Sequence, residues 1–235
     1  MAPSKLIVVL GATGGQGNSV VEAFLTERDY IIRGVTRQPQ SEKAQALSKK
    51  GVEVVEADND DEASLVKAFE GASAIFAMTD FFEPFAKHGP HKAIDIEQKQ
   101  GENIARAASK TAGLQHFLWS TLPDGNTLTK GEFVVPHFEA KNRINRFIQN
   151  DKALLAKTTF LWFGFYAENL FYPVFTPIYV VPTLHHVASG LVHSINLYYR
   201  KAHRSSSNCL RRTLRLQSGP LVTTELTSES SPVPL

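Results

Sequence analysis

The sequence predicts a doubly wound α/β domain with a parallel sheet, and three observations predict it. Short apolar runs alternate with amphipathic segments from residue 5 to about 162. The runs are apolar throughout rather than at every second residue, which is the pattern of strands covered on both faces. A glycine loop joins the first run to the first amphipathic segment, as in a βαβ unit that holds a nucleotide.

Each element follows in order. "KLIVVL" (5–10) is a buried strand, followed by the glycine loop and a helix near 15–28. "YIIRGVT" (30–36) is the second strand, with a charged helix around 40–49. "VEVVEA" (52–57) is the third, with a short helix near 61–69. "ASAIFAM" (72–78) is the fourth, followed by a longer loop and a helix over roughly 92–112. "LQHFLWS" (114–120) is the fifth, residues 136–150 have helical period, and "TTFLWF" (158–163) is the sixth. No internal repeat is present. After Val181 the text turns rich in Ser, Thr, Pro and Arg. "HHVASGLVHSINLYY" could form a helix of about four turns, and the last residues have the composition of a disordered tail. The expected division is therefore 1–165 for the nucleotide-binding domain, 166–200 for a small, incomplete C-terminal lobe, and 201–235 for the tail.

Composition narrows the function classes. The chain has 235 residues, 43% hydrophobic and 20% charged, as soluble globular proteins do. Residues from 182 onward carry a balance of +4, which leaves −2 for the first 181 and no basic surface for nucleic acid. A single cysteine, Cys209, excludes an internal disulfide and suits a reducing compartment. The apolar run before Gly11, Leu6 to Leu10, is only five residues long, too short for a signal peptide. The most apolar stretch, 160–181, is interrupted by Glu168, Asn169, Pro173 and Pro177, against a membrane span. The expectation is a cytoplasmic protein with nuclear access open. No metal-ligand spacing occurs among the histidines and acids, and His185–His186 lie in the weakly patterned end.

The chemistry-bearing motif is "VVLGATGGQGNSV", where Gly11, Gly14 and Gly17 follow the first strand and open a helix. A diphosphate is bulky and doubly charged, so the turn must bring backbone N–H groups close to it. Glycines permit that approach, and the helix N-terminus adds partial positive charge. The second strand selects the dinucleotide. An NAD site places an acid about 20 residues on to hold the ribose 2′-hydroxyl. Here the strand runs into "GVTRQPQSEK", with Arg37 at that place and no acid before Glu42. A guanidinium attracts a 2′-phosphate and stacks on adenine, which favours NADP(H); the alternative is an exposed strand-end arginine. Asp58, Asn59 and Asp60, in "VEADNDDEASL", could meet an adenine amino group, or Asp60 or Asp61 could cap the next helix.

Six segments, "GATGGQG", "VTRQP", "GVEVVEADNDD", "EQKQGENIARAA", "HFEAKNRI" and "YAENLF", occur in the order seen in the NmrA-like family of atypical short-chain dehydrogenase/reductases. The resemblance runs from about residue 4 to about residue 175. It implies an NADP(H)-binding Rossmann core with a smaller C-terminal lobe. It also implies site residues: Gly11, Ala12, Thr13, Gly14, Gly15, Gln16 and Gly17 for the diphosphate, and Arg37 with Gln38, Pro39, Gln40 and Ser41 for the 2′-phosphate side. Asp58 to Asp60 would lie by the adenine, and Met78, Thr79 and Asp80 would follow the fourth strand near the dinucleotide. Lys99 and Lys141 would line the nicotinamide side, and Tyr166, Ala167, Glu168 and Asn169 would close over it. Family members usually continue through a further lobe after "ENLF", whereas here the resemblance fades.

Typical short-chain reductases use a Ser, a Tyr and a Lys, the lysine lowering the pKa of the phenol that exchanges a proton with substrate. Ser120 and Lys141 match the serine and lysine, and His137 stands at the tyrosine position. Imidazole can transfer protons near neutral pH; the alternative is a helix-start residue after Pro136 that points to solvent or bonds to backbone. Isoflavone-reductase-like enzymes also lack the tyrosine, share an F-x-x-K stretch matched here by Phe138 and Lys141, and relay the proton through the lysine. The aromatic run Phe81, Phe82, Phe85 and the group Phe163, Phe165, Tyr166 and Phe171 could line a cleft for an aromatic ligand or a protein partner, or could be core. Two functions follow from the resemblance. The one that the missing tyrosine favours is a redox- or cofactor-responsive regulator, rather than a tyrosine-dependent reductase, in which occupancy biases a protein-binding surface. The other is an NADPH-dependent oxidoreductase acting on an aromatic or carbonyl intermediate, as in fungal secondary metabolism.

Overall fold

Six all-parallel strands form one sheet in the order β3-β2-β1-β4-β5-β6. The computed structural model describes residues 5–164 and 166–171. Most of the expected second lobe, the tail, Phe165 and Cys209 lie outside the described residues. The strands are β1 (Lys5–Leu10), β2 (Tyr30–Thr36), β3 (Glu53–Glu56), β4 (Ala74–Ala77), β5 (His116–Thr121) and β6 (Thr158–Trp162). Between them run α1 (Gly15–Phe24), α2 (Glu42–Lys49), α3 (Glu62–Ala68), α4 (Phe82–Ser109), α5 (Gly125–Leu128), α6 (Pro136–Asn150) and α7 (Lys152–Leu155), with a final 3-10 turn over Ala167–Phe171. The strand order reverses between β1 and β4, which opens a crevice at the carboxyl ends of the strands.

Alternation along each strand feeds two cores. Ile7, Val9, Phe76 and Leu118 point to one face and pack with Val21, Phe24 and Leu47 from α1 and α2. Val8, Leu10, Ile75, Phe117 and Trp119 point to the other and pack with Ile104, Ile144 and Ile148 from α4 and α6. Burying each such side chain contributes about 1.5–3 kcal/mol, so strands with no polar face are stable only between two helical layers.

Local chemistry sets the helix ends. Ser41 caps α2 by accepting from Ala44 N, and Asp61, not Asp60, caps α3 by accepting from Ala63 N. Pro136 opens α6, where its missing N–H costs nothing, and the helix spans 136–150 as its period predicts. The expected loop before residue 92 is instead helical. Phe82 to His88 make two turns, Gly89 breaks the helix at φ 77°, and Pro90 restarts it. Pro84 is tolerated because it lies in the first turn, where backbone N–H groups have no intrahelical partner. At Gly101 a Cβ would fall 2.3 Å from Ile144 Cδ1, so this glycine lets α4 and α6 approach closely. That approach brings the two helices' polar residues together over the end of β4.

Candidate functional site

The carboxyl ends of β1, β2, β3, β4 and β5 carry Gly11, Arg37, Asp58, Met78 and Ser120 in turn, so the topology gathers the predicted residues on one edge of the sheet. The loop after β1 turns tightly: Gly14 N donates to Gly11 O at 2.9 Å. A Cβ on Gly17 would lie 2.2 Å from that same oxygen, so only glycine fits there. Ala12 is buried beneath the loop. Helix α1 has Gly14 at its N-cap, with no side-chain cap and no acid in its first turn. Gly14 and Gly15 are exposed, and a Cβ on Gly15 would meet nothing within 4 Å. Uncapped N–H donors facing open space beside a glycine hairpin fit a dinucleotide diphosphate.

The side chains around this loop form two networks. Gln16 Nε2 donates to Ser120 Oγ at 2.8 Å, and Tyr166 OH donates to Gln16 Oε1 at 3.3 Å. The glycine loop, β5 and the segment after β6 therefore meet at one glutamine. Asn169 N closes onto Tyr166 O at 3.0 Å, and Ala167 and Glu168 stand in the same 3-10 turn.

The second network is buried. Lys141 Nζ donates to Thr79 O at 2.8 Å and Thr79 Oγ1 at 2.6 Å, and pairs with Glu97 Oε1 at 3.0 Å. Thr79 Oγ1 donates to the same Glu97 oxygen at 2.6 Å. The Glu97 side chain is 0% exposed and that of Lys141 is 10% exposed. Glu97 Oε2 is buried with no hydrogen-bond partner among the described residues. The Lys141 ammonium also lies 5.4 Å from the Trp119 ring centroid. One turn earlier on α6, His137 packs among Phe82 at 5.7 Å, Phe81 at 5.9 Å and Phe138 at 4.8 Å, centroid to centroid. Burial among these rings pushes its pKa below the ordinary 6.5; the Glu97 charge opposes the shift and the Lys141 charge adds to it. His137 is the second residue of α6, as the helix-start alternative has it, but its ring is half-buried against these aromatics rather than turned to solvent.

On the adenosine side, Arg37 leaves the end of β2 and meets Glu83 in the first turn of α4, with Nη2 to Oε2 at 2.7 Å and Nη1 to Oε1 at 3.3 Å. Lys87 Nζ reaches Glu83 Oε1 at 2.9 Å. Hydrogen bonds from Arg37 and Lys87 pull the Glu83 pKa from 4.5 to about 2. Gln38 N donates to Thr36 Oγ1, Gln40 O accepts from Gln45 Nε2, and Ser41 serves α2. Pro39 lies in the same turn. Asp58 Oδ1 accepts from Asp60 N, Asn59 O from Asn103 Nδ2, and Asp60 Oδ2 from Gln100 Nε2, so this loop is tied to α4. Met78 packs over Gly11, whose Cβ would lie 3.0 Å from Met78 Sδ; Asp80 accepts from Phe82 N.

The structure thus brings the glycine loop, Arg37, Asp58, Thr79 and Lys141 to one edge. It does not bring Ser120 and Lys141 into one hydrogen-bond network, because Trp119 and Ser120 alternate to opposite faces of β5. Lys99 stands on the exposed face of α4, about 200° around the helix from Glu97. Glu97 and Glu83 were missed. Glu97 carried a readable signal, since it falls on the buried stripe of Ala93, Ile94, Gly101 and Ile104. A hollow of about 260 Å³ between α6 and β6, lined by residues such as Asn142, Arg146 and Trp162, includes none of these groups. Among the described residues there is no cluster of metal-binding side chains, and no helix is long and apolar enough to cross a membrane.

The sequence model of the NmrA-like family matches residues 3–182. The chain belongs to the NmrA-like family. Curated relatives agree. An NmrA-like family domain-containing oxidoreductase from Aspergillus hancockii, hkm9, is 32% identical over 179 residues, 76% of this chain and 51% of that protein. The oxidoreductase ptmS of Penicillium ochrochloron is 32% identical over 171 residues, 72% of this chain and 49% of its own length. The chain spans about half the length of these relatives. Solved structures share the fold. NmrA, described as a negative transcriptional regulator, superposes with a TM-score of 0.57 at 22% identity over 71% of this chain and 47% of its own. Triphenylmethane reductase of Citrobacter sp., complexed with NADP(H), does so with a TM-score of 0.53 at 24% identity, over 71% and 51%.

Proposed function

We propose that this NmrA-like chain binds NADP(H) along the carboxyl edge of its sheet and forms the dinucleotide half of an oxidoreductase. The observation that carries the catalytic part is the cluster of Lys141, Glu97 and His137 beneath Phe81 and Phe82. A buried ion pair beside a half-buried imidazole is costly to fold, and such arrangements concentrate at functional sites. Gly14 to Gly17 would hold the diphosphate, Arg37 a 2′-phosphate, and Lys141 the nicotinamide side. A reduced nicotinamide supplies hydride when bound. The chain's own residues handle the proton. Lys141 is the acid, and it can present a proton to a substrate oxygen by exchanging one of its two Thr79 bonds. Glu97 positions it. Burial lowers the His137 pKa and so favours the neutral imidazole beside Lys141. The ring wall suits a flat aromatic or carbonyl compound. This chemistry dispenses with the tyrosine.

A second reading, a cofactor-responsive regulator, is favoured by a specific observation: every Lys141 proton already has a partner within the protein, and Ser120 is engaged by Gln16. Occupancy would then bias a partner-binding surface, which requires the two redox forms to bind two conformations unequally. NADPH oxidation measured with a panel of quinones and aromatic carbonyls separates the readings. Turnover that Lys141→Met abolishes, with NADP⁺ still bound, is the expected result. Tight NADP⁺ binding without turnover on any panel member would displace the oxidoreductase reading in favour of the regulator.

A further inference from the structure

We infer that Glu83 is a specificity determinant for the dinucleotide, because it occupies the guanidinium fork that a 2′-phosphate would take. The inference rests on the NADP(H) reading above and adds a competitor to it. Arg37 donates through both terminal nitrogens, at 2.7 and 3.3 Å, to the two oxygens of Glu83. A phosphate monoester asks for the same pair of parallel N–H groups. One fork cannot serve both anions in that geometry, so binding a 2′-phosphate means releasing Glu83. A dinucleotide without the 2′-phosphate makes no such demand.

Two features make the exchange workable. The side chains of Arg37 and Glu83 are 60% and 38% exposed, so each can rearrange in water without stranding a buried charge. Glu83 also has a second cation, Lys87, one helical turn on at 2.9 Å, and keeps it when Arg37 leaves. Asp58 and Asp80 also act on the guanidinium by charge alone, so the whole acidic setting weighs against an incoming phosphate. Only Glu83, among these three, holds it by hydrogen bonds.

Glu83 also links two parts of the site. Its neighbour Phe82 lies 5.7 Å from His137, and Phe85, half a turn further on, stacks on Phe81 at 5.7 Å. The first turn of α4 therefore carries both the carboxylate that meets Arg37 and a ring that packs on His137.

Calorimetric titration of the whole chain with NADP⁺ and NAD⁺ tests this, using wild type, Glu83→Gln, Glu83→Ala, Arg37→Ala and the Arg37→Ala/Glu83→Gln pair. Both Glu83 variants are expected to tighten NADP⁺ roughly three- to fivefold, the scale of an exposed ion pair. NAD⁺ affinity should stay within about twofold, since a plain ribose does not compete for the fork. The NADP⁺ gain should vanish in the Arg37→Ala background. Unchanged NADP⁺ affinity in both Glu83 variants, or equal tightening of both dinucleotides, would overturn the role of Glu83 while leaving dinucleotide binding intact. If neither dinucleotide binds wild type or variants, the NADP(H) reading falls and this inference with it.

Discussion

The two ends of the candidate site hold their charges differently. At the adenosine end, Arg37, Glu83 and Lys87 pair on a surface where water screens them. At the other end, Lys141 and Glu97 pair inside the wedge between α4, α6 and β4, with Glu97 wholly buried. Both pairs span about 3 Å, so distance alone does not distinguish them. Surroundings do. An exposed pair is worth little and can trade partners, which suits recognition of an incoming anion. A buried pair is stable only as a pair, which suits the fixed placement of one ammonium.

The largest expected effect breaks the buried pair. Glu97→Leu leaves the Lys141 ammonium enclosed without its counter-charge and should lower the unfolding free energy by about 3 kcal/mol or more. The Lys141→Met/Glu97→Leu double variant should recover most of that loss in urea unfolding, because no unpaired charge remains. If the single and double variants lose equally, Lys141 and Glu97 do not act as one energetic unit.

An intermediate effect comes from His137. Its folded pKa is lowered, so the unfolded chain binds the proton more readily and stability rises with pH across the window between that lowered value and 6.5. Thermal melts from pH 5 to 8 should slope accordingly, and His137→Phe should flatten the slope. Part of the slope should survive in that variant, because burial lowers His116 in the same direction. An unaltered profile in His137→Phe would contradict the inward placement of the ring.

The smallest effect belongs to the exposed pair. Arg37→Ala should cost no more than about 1 kcal/mol of stability, and less at high salt. The Glu83 contribution is fully present above pH 4.5 and is lost as pH falls from there toward about 2, since its folded pKa is depressed. A loss in Arg37→Ala comparable with that of Glu97→Leu would erase the contrast between the two ends.

Much of this arrangement was legible in the sequence. The strand–glycine–helix signature and the apolar runs located all six strands; the central runs of β1, β4 and β5 are largely buried, and the edge strands β3 and β6 only partly. Pro136 marked the start of α6, and a period-3.6 stripe marked its length. The helical turns over Phe82–His88 were not visible, since two prolines and a glycine within "FEPFAKHGP" resemble a loop unless Pro84 is placed in a first turn. The pairing of Arg37 with Glu83 was hidden for another reason: it joins residues far apart in the chain, one after β2 and one in the first turn of α4, across the carboxyl edge of the sheet. Glu97 was overlooked beside the more conspicuous Lys99, although only the glutamate shares the phase of the buried face of α4. A carboxylate in an apolar stripe was the signal, and it required helical phase rather than motif matching.

The most direct test of dinucleotide binding along this edge is a crystal structure of the chain grown with NADPH. The diphosphate should rest on the N–H groups of Gly14 to Gly17, with the 2′-phosphate against Arg37 and Glu83 turned to Lys87 alone. Crystals grown in saturating NADPH with Arg37 still clasped by Glu83 and no density over the glycine hairpin would contradict it.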